Sequence, residues 1–271
     1  MKARKKSAIF GDLIGQVKSK KKVFAVWACL RLLVITALIL SALRRDYESV
    51  FICVLTLLLF FVPAFVERRL SIEFPSVLQI IILLHIFAAE ILGELSSYYI
   101  HFRHWDTILH TVWGFLCAAL GYSLVDILNQ DNNFHFNLSP LYLAIVSFCF
   151  SMTIGIFWEF FEFAADRILL LDMQKDTVIS LISTVMLDES KSNIPIIIEG
   201  IQSVAVNGQE LALGGYLDIG LYDTMEDLLV NMVGALVFSL IGFFGSKADN
   251  SFAFHFIPRL KEDNIGDDFT S

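Results

Sequence analysis

The sequence predicts an all-α membrane protein, a bundle of about six transmembrane helices with a partly structured outer loop. Three observations predict it. Of 271 residues, 56% are hydrophobic and only 18% charged, whereas a soluble domain is about 45–50% apolar and about 25% charged. Apolar runs near 23–43, 49–66, 76–94, 106–126, 140–163 and 223–244 approach the roughly 20 residues a helix needs to cross hydrocarbon. The ionisable residues of the later runs gather at their ends.

The elements follow in order. Residues 1–22 form a basic segment carrying Lys2, Arg4, Lys5, Lys6, Lys18, Lys20, Lys21 and Lys22. A basic flank directly before a span belongs in the cytoplasm. Within it, residues 8–17 form either a short interfacial helix beside the lysines or a flexible tail that sets topology. The first apolar run, Val23 to Leu43, is too long for a signal-peptide core and contains Arg31. No small-x-small cleavage site follows it before Arg44, so it reads as a retained first span. Arg68 and Arg69 after the second run also belong inside. The transmembrane domain then covers 23–245, with an outer loop at 167–221, and 246–271 is a cytoplasmic tail. Both termini are expected in the cytoplasm.

The formal charge of −8 is not that of a nucleic-acid binder, and the 25 phenylalanines suit lipid-facing surfaces. Cys29, Cys53, Cys117 and Cys149 stand singly in apolar runs. That pattern supports neither a disulfide framework nor a zinc knuckle, so they read as small buried hydrophobes.

Alternating helix direction would bring four polar ends to one face. Glu90 and Glu94 close the third run, and Asp106 and His110 open the fourth. Glu159, Glu162 and Asp166 close the fifth; Asp223, Asp227 and Asn231 open the sixth. Residues three and four apart share a helix face. Asp106, His110, Gly114, Ala118 and Gly121 make one stripe. Ser147, Ser151, Gly155, Glu159 and Glu162 make a second, and Asp223, Asp227, Asn231 and Gly234 a third. Small residues mark close helix contact in membranes, so the charged ends of these stripes should face the protein interior. Solvation in the headgroup zone competes for any one residue, because Tyr98, Tyr99, Trp105, Trp158 and Tyr222 lie near the same ends, as interfacial aromatics do. It accounts poorly for four helices at once.

Carboxylates packed together disfavour one another's charge unless a cation compensates, and Arg103, Arg167 and Lys175 are the few cationic side chains nearby. The expected ligands of a divalent metal ion are therefore Asp106, His110, Glu159, Glu162, Asp223 and Asp227. Glu90, Glu94, His104, Asp166, Asp176 and Asn231 are expected in support. Carboxylates with a histidine suit Mn, Fe, Zn, Mg or Ca, and facing helices of a bundle commonly build such centres. His85 reads as a hydrogen-bonded core histidine, His101 and His135 as loop residues and His255 as part of the tail. No His-Glu-x-x-His, phosphate-binding loop or nucleophile motif is present.

In the long loop, Val178 to Leu187 is apolar enough for a short surface helix. Asn193 to Leu213 contains two β-rich stretches and an Asn207-Gly208 turn. The loop is expected to cover the outer mouth.

The series His104-Trp-Asp106-x-x-x-His110, Glu159-Phe-Phe-Glu162, Gln174-Lys-Asp176 and Tyr222-Asp223-Thr-x-x-Asp227-x-x-x-Asn231-x-x-Gly234 resembles the YjdF-like bacterial inner-membrane proteins over roughly residues 75–245. Trp105 stands where that family has tyrosine, and Lys175 where it has glycine. A long stretch separates Asp176 from Asp223, where the family runs almost directly into its last helix. The resemblance implies a multi-pass inner-membrane protein without a settled activity.

Three functions fit these residues. One is a metalloprotein, either an enzyme acting on a lipid or small-molecule substrate of the envelope at the outer leaflet or a metal sensor. The alternative is a cation- or proton-coupled transporter, and the third a structural factor whose buried charges fix helix packing. The orientation yields a direct test: reporters fused at residues 100 and 200 should be active only as exported reporters. Cytoplasmic reporter activity at both points would reverse the topology.

Overall fold

The computed structural model describes residues 21–130, 138–248 and 255–260. The segment 8–17 and His135 lie outside the described residues. Six helical stretches are long and apolar enough to cross a membrane. The chain divides into two compact units, one formed by 1–154 with 230–271 and one by 155–229.

In the first unit, helix α1 (Lys21–Arg44) is the first span. Its Arg31 guanidinium carbon lies 4.5 Å from the Trp27 ring centroid and 4.3 Å from that of Phe61. Cation–π contact gives the charge a partner in a segment where water cannot. Asp46 then caps α2 (Tyr47–Leu59), accepting hydrogen bonds from the Ser49 N–H (3.2 Å) and hydroxyl (2.5 Å). The second span continues as α3 (Val62–Arg69). Pro63 at its start explains the break, since proline has no N–H to continue a helical ladder and its ring obstructs the preceding turn.

The third span begins as α4 (Ser76–Phe87) and continues as a π-helix over Ala88–Leu95, closed by the Ser96 N–H on the Ile91 carbonyl at 3.0 Å. After the single turn α5 (Tyr98–His101) come α6 (Trp105–Gln130) and α7 (Pro140–Leu169). The last span is α8 (Leu221–Ala248). Span three joins two apolar cores. Leu78 packs with Leu116, Ala119, Tyr122, Leu143, Ala235 and Phe238. Leu83 and Ile91 pack with Val23, Leu30, Val34, Cys53 and Phe60.

Polar groups in this unit are handled locally. Glu67 is buried, and its Oε1 accepts from the Phe74 N–H and the Gln79 side-chain amide, each at 2.6 Å, tying the end of span two to the start of span three. Strand β1 (Ile72–Glu73) pairs antiparallel with the C-terminal strand Arg259–Leu260, Ile72 opposite Leu260 and Glu73 opposite Arg259. Four spans separate those strands, and an even number of crossings is what returns a chain to the side it left. Part of the expected tail, through Ile257 and Pro258, is thus buried in the apolar core.

The small-residue stripes meet. The Ser147 hydroxyl donates to the Ala118 carbonyl at 2.7 Å and the Ser151 hydroxyl to the Gly114 carbonyl at 2.8 Å. A Cβ built on Gly114 would lie 2.2 Å from the Asn231 carbonyl oxygen, and one on Gly234 would lie 1.9 Å from that of Thr111. Two cysteine expectations are corrected: Cys29 and Cys149 are exposed on helix surfaces, where lipid rather than core surrounds a weakly polar thiol, while Cys53 and Cys117 are buried. His85 is also corrected. It stacks on Trp113, ring centroids 5.8 Å apart and 15° from parallel, and its Nδ1 makes no hydrogen bond among the described residues.

In the second unit, the connection between α7 and α8 is β-rich. Strand β2 (Val178–Ile179) pairs with β7 (Tyr216–Leu217), and β3 (Leu181–Thr184) with β4 (Ile196–Glu199). Strand β5 (Val204–Val206) pairs with β6 (Gln209–Leu211). The surface helix expected over 178–187 is therefore corrected to strands. The segment is dense in Val, Ile and Thr, which lose rotamer freedom in a helix and pack well on a pleated surface. The expected turn is present: Asn207 and Gly208 both have positive φ, 53° and 80°, and form a two-residue hairpin loop of the primed kind. With β1 through β7 so assigned, Arg259–Leu260 is β8.

The contact at Gly234 generates a prediction. Alanine there would ordinarily favour a helix by about 1 kcal/mol over glycine. Its methyl group must instead displace the Thr111 carbonyl, so G234A should lower stability by about 1–3 kcal/mol. Thermal unfolding in detergent measures this; a midpoint at or above the parent's would contradict the close crossing.

Candidate metal centre

The second unit contains three carboxylates that the helical spacing turns to one side. Glu159 and Glu162 are three apart on α7, and Asp227 lies in the second turn of α8. They are 5%, 7% and 3% exposed. One oxygen from each lies within 4.8 Å of the others. Ligand oxygens stand about 2.0–2.6 Å from a hard divalent cation, so oxygens on opposite sides of one ion are about 4–5 Å apart. The triad fits a single ion by this measure.

Its neighbours are arranged to match. The Trp158 indole N–H donates to Glu162 Oε1 at 2.9 Å, fixing that carboxylate's rotation. Phe160, Phe161 and Phe163 are exposed around the buried pair, so the surface of this helix is apolar where its interior is acidic. Two carboxylate charges at 4.8 Å repel by about 3 kcal/mol at an effective dielectric of about 20. A cation between them offsets that repulsion.

In the first unit, Asp106 and His110 occupy one face of α6, with His110 Nε2 3.5 Å from Asp106 Oδ1. Their side chains are 30% and 12% exposed respectively. This is the carboxylate–histidine pairing that orients an imidazole for metal binding or proton transfer. His104 is exposed at the helix start. Glu90 is half-buried and Glu94 exposed on the π-helix.

The remaining acids of the set hold the loop. Asp166 accepts the Met173 N–H on Oδ1 at 2.6 Å and the Gln174 N–H on Oδ2 at 2.8 Å. Gln174 is buried and donates from its side chain to the Thr224 hydroxyl at 2.5 Å. Asp223 Oδ2 accepts the Lys175 N–H at 2.8 Å, and the Lys175 ammonium donates to the Asp172 carbonyl. Asp176 is exposed; partial desolvation, then the charges of Asp172, Asp218 and Asp166, push its carboxyl above the ordinary range.

Sequence reasoning missed Asp218. Its Oδ1 accepts the N–H groups of Thr177 (2.8 Å) and Gly220 (3.1 Å), and its Oδ2 that of Tyr222 (2.9 Å). It closes the β2–β7 ladder and caps the start of α8 together. The signal was present in Asp218-Ile-Gly220-Leu221, an acid just before an apolar periodic run. Gly220 has φ +86°, and a Cβ there would lie 2.7 Å from that of Gln174.

Burial works to raise the Asp218 carboxyl, but the N–H groups of Thr177, Tyr222, Gly220 and Leu221 outweigh it and hold the group below its usual range. A depressed carboxylate contributes stability that is complete above its unfolded value, about 3.9, and is lost as pH falls through its own lower value. D218A should therefore open the 170–220 connection at neutral pH, seen as faster limited proteolysis there. The parent should show the same opening only in acid, below about pH 4. Equal proteolysis of D218A and parent at neutral pH would remove Asp218 from this role.

A family model described as a predicted membrane protein (DUF2238) matches residues 26–248. No curated protein and no solved structure matches the chain. With the match spanning nearly the whole helical region, the protein belongs to this predicted membrane-protein family, the same family as the YjdF-like proteins its motifs resemble.

Proposed function

We propose that the protein holds a divalent metal ion on Glu159, Glu162 and Asp227 and uses it on a lipid or small envelope substrate at the outer leaflet. The observation that carries this reading is the gathering of three carboxylates, each more than nine-tenths buried, with oxygens within 4.8 Å. Burying an ionised carboxylate is costly, and a bound cation offsets that cost. When bound, a divalent ion supplies Lewis acidity for activating water or polarising a carbonyl or phosphoryl oxygen. Trp158 orients Glu162. Asp106 and His110, expected from the sequence as ligands too, are tested by variants of their own.

The basic N-terminal run supports a cytoplasmic N-terminus in a bacterial inner membrane. Six crossings then keep the C-terminus inside, and the connection between α7 and α8 faces out. That connection, stapled by Asp166, Asp218 and Asp223, suits a cover over the ends of α7 and α8 from which it springs.

Elemental mass spectrometry of protein purified in mild detergent tests the reading. The parent should carry stoichiometric metal, and the E159A/D227A protein should lose it. D106N and H110Q proteins measured alongside report whether those residues bind the same ion. A folded parent that holds no metal, even after reloading, would sink the metal reading and favour proton-coupled transport or a packing role, which ion flux abolished by D227N would separate.

A further inference from the structure

Among the described residues, strands β3 and β4 of the second unit pair only with each other. Residues directly opposite in an antiparallel pair share a face. Ile182 opposes Ile198 and Thr184 opposes Ile196 on one face; Leu181 opposes Glu199 and Ser183 opposes Ile197 on the other. Both faces are thus partly aliphatic, and every residue of β4 is exposed. The apolar surface continues around the tip of the ribbon. Met186 is 87% exposed there, and Ile194 and Ile197 are each 60% exposed.

A two-stranded ribbon alone in water is marginally stable and needs an apolar partner, and contiguous exposed apolar surface marks a protein or membrane contact. The bilayer is the apolar phase next to this one. Residues 170–180 alone separate the end of α7 from β3. Ile168, Leu169, Leu170 and Leu171 are exposed in unbroken succession, so the lipid-facing surface of the span runs on into the connection that carries the ribbon. The tip also meets its own backbone groups. The Asp188 carboxylate accepts the N–H groups of Ser190 (3.0 Å), Ser192 (2.8 Å) and Ile194 (3.2 Å). The Asp188 N–H goes to the Val185 carbonyl at 3.1 Å and the Lys191 N–H to the Asp188 carbonyl at 3.2 Å. A loop in water can leave such groups to solvent, whereas hydrocarbon offers them nothing. From 178 to 199 one lysine stands against three acids, so apolar burial and not attraction to anionic headgroups would hold the ribbon.

We infer that the β3–β4 ribbon is an interfacial anchor, laying Met186, Ile194 and Ile197 into the headgroup–acyl boundary of the membrane that the protein's own spans cross. Its charges set the depth. Asp188, Glu189 and Lys191 lie between Met186 and Ile194 and keep the tip at the boundary, where charged heads reach water while neighbouring apolar groups are buried. Asp166, Asp218 and Asp223 staple the base of the connection, and the bilayer holds its far end. The connection is then fixed at the membrane surface at both ends. Neither the carboxylate triad nor its ion is needed for this.

The test uses full-length protein, one copy per phosphatidylcholine nanodisc, with C29A and C149A removing the exposed thiols. Nitroxide labels are placed at M186C or I194C. Collision with oxygen, which concentrates in hydrocarbon, is compared with collision with a water-soluble nickel chelate. Oxygen should exceed nickel at both positions, and I194D/I197D should reverse that order for the label at position 186. Should I194C not fold, M186C decides alone. Nickel in excess in the unsubstituted ribbon places it in water and overturns the inference. Low collision with both reagents means that it packs on protein, which also overturns it. So does nickel access that falls only when two copies share a disc, which assigns the surface to a second copy. An oxygen excess left unchanged by I194D/I197D would overturn the role of these side chains as the anchor.

Discussion

The close crossing of helices at Gly114 and Gly234 is the constraint on which the interior of the first unit depends. At both positions the space for a Cβ is taken by a backbone carbonyl of the facing helix. Lipid offers helices no hydrophobic reason to associate, since acyl chains are as apolar as leucine side chains. Close packing and direct polar contact have to do it instead. On another side of α6, Ser147 and Ser151 of α7 reach across to its carbonyls. A larger residue at either glycine would push α6 and α8 apart. The position of Asn231 and of the Asp106–His110 face follows from the same crossing.

Much of this was legible because helical membrane segments write their interior in small residues. Gly114, Ala118 and Gly121 on one stripe and Ser147 and Ser151 on another can be read at a spacing of three and four, and the structure puts Ala118 against Ser147 and Gly114 against Ser151. The burial of Glu159, Glu162 and Asp227 was legible for the same reason. The connection between α7 and α8 was harder. Val178 to Thr184 is apolar enough for either regular structure, and only its partners, β7 and β4, decide for strands. Those partners lie many residues away, beyond the reach of local pattern. The turn at Asn207-Gly208 was readable because positive φ is a property of the residues themselves. The π-helix after Phe87 left no comparable mark.

The acids of the second unit divide by what surrounds them, not by residue type. Asp166, Asp218 and Asp223 accept backbone N–H groups at chain reversals. There a carboxylate is satisfied as an anion and stiffens the loop. Glu159, Glu162 and Asp227 stand within the helical segments, where backbone N–H groups are already engaged by the helix. The Trp158 indole meets one oxygen of Glu162. Spacing alone does not distinguish these groups, because Asp166 follows Glu162 by four residues and Asp223 precedes Asp227 by four. The local chain decides: Asp166 and Asp223 sit at the ends where loop amides become free to point at them.

This division bears on function. A structural role for buried charge requires each charge to have a fixed counterpart, as Arg31 has between Trp27 and Phe61 and Glu67 has in Phe74 and Gln79. Those two lie in the first unit, and backbone N–H groups fill the same role for Asp166, Asp218 and Asp223 at the base of the loop. At the triad three acidic side chains converge, and the Trp158 indole orients one of them. Helix packing alone would be served as well by leucine at all three positions, with no desolvation to overcome. Keeping three acids there makes physical sense when a mobile positive species, free to bind and leave, completes the electrostatics.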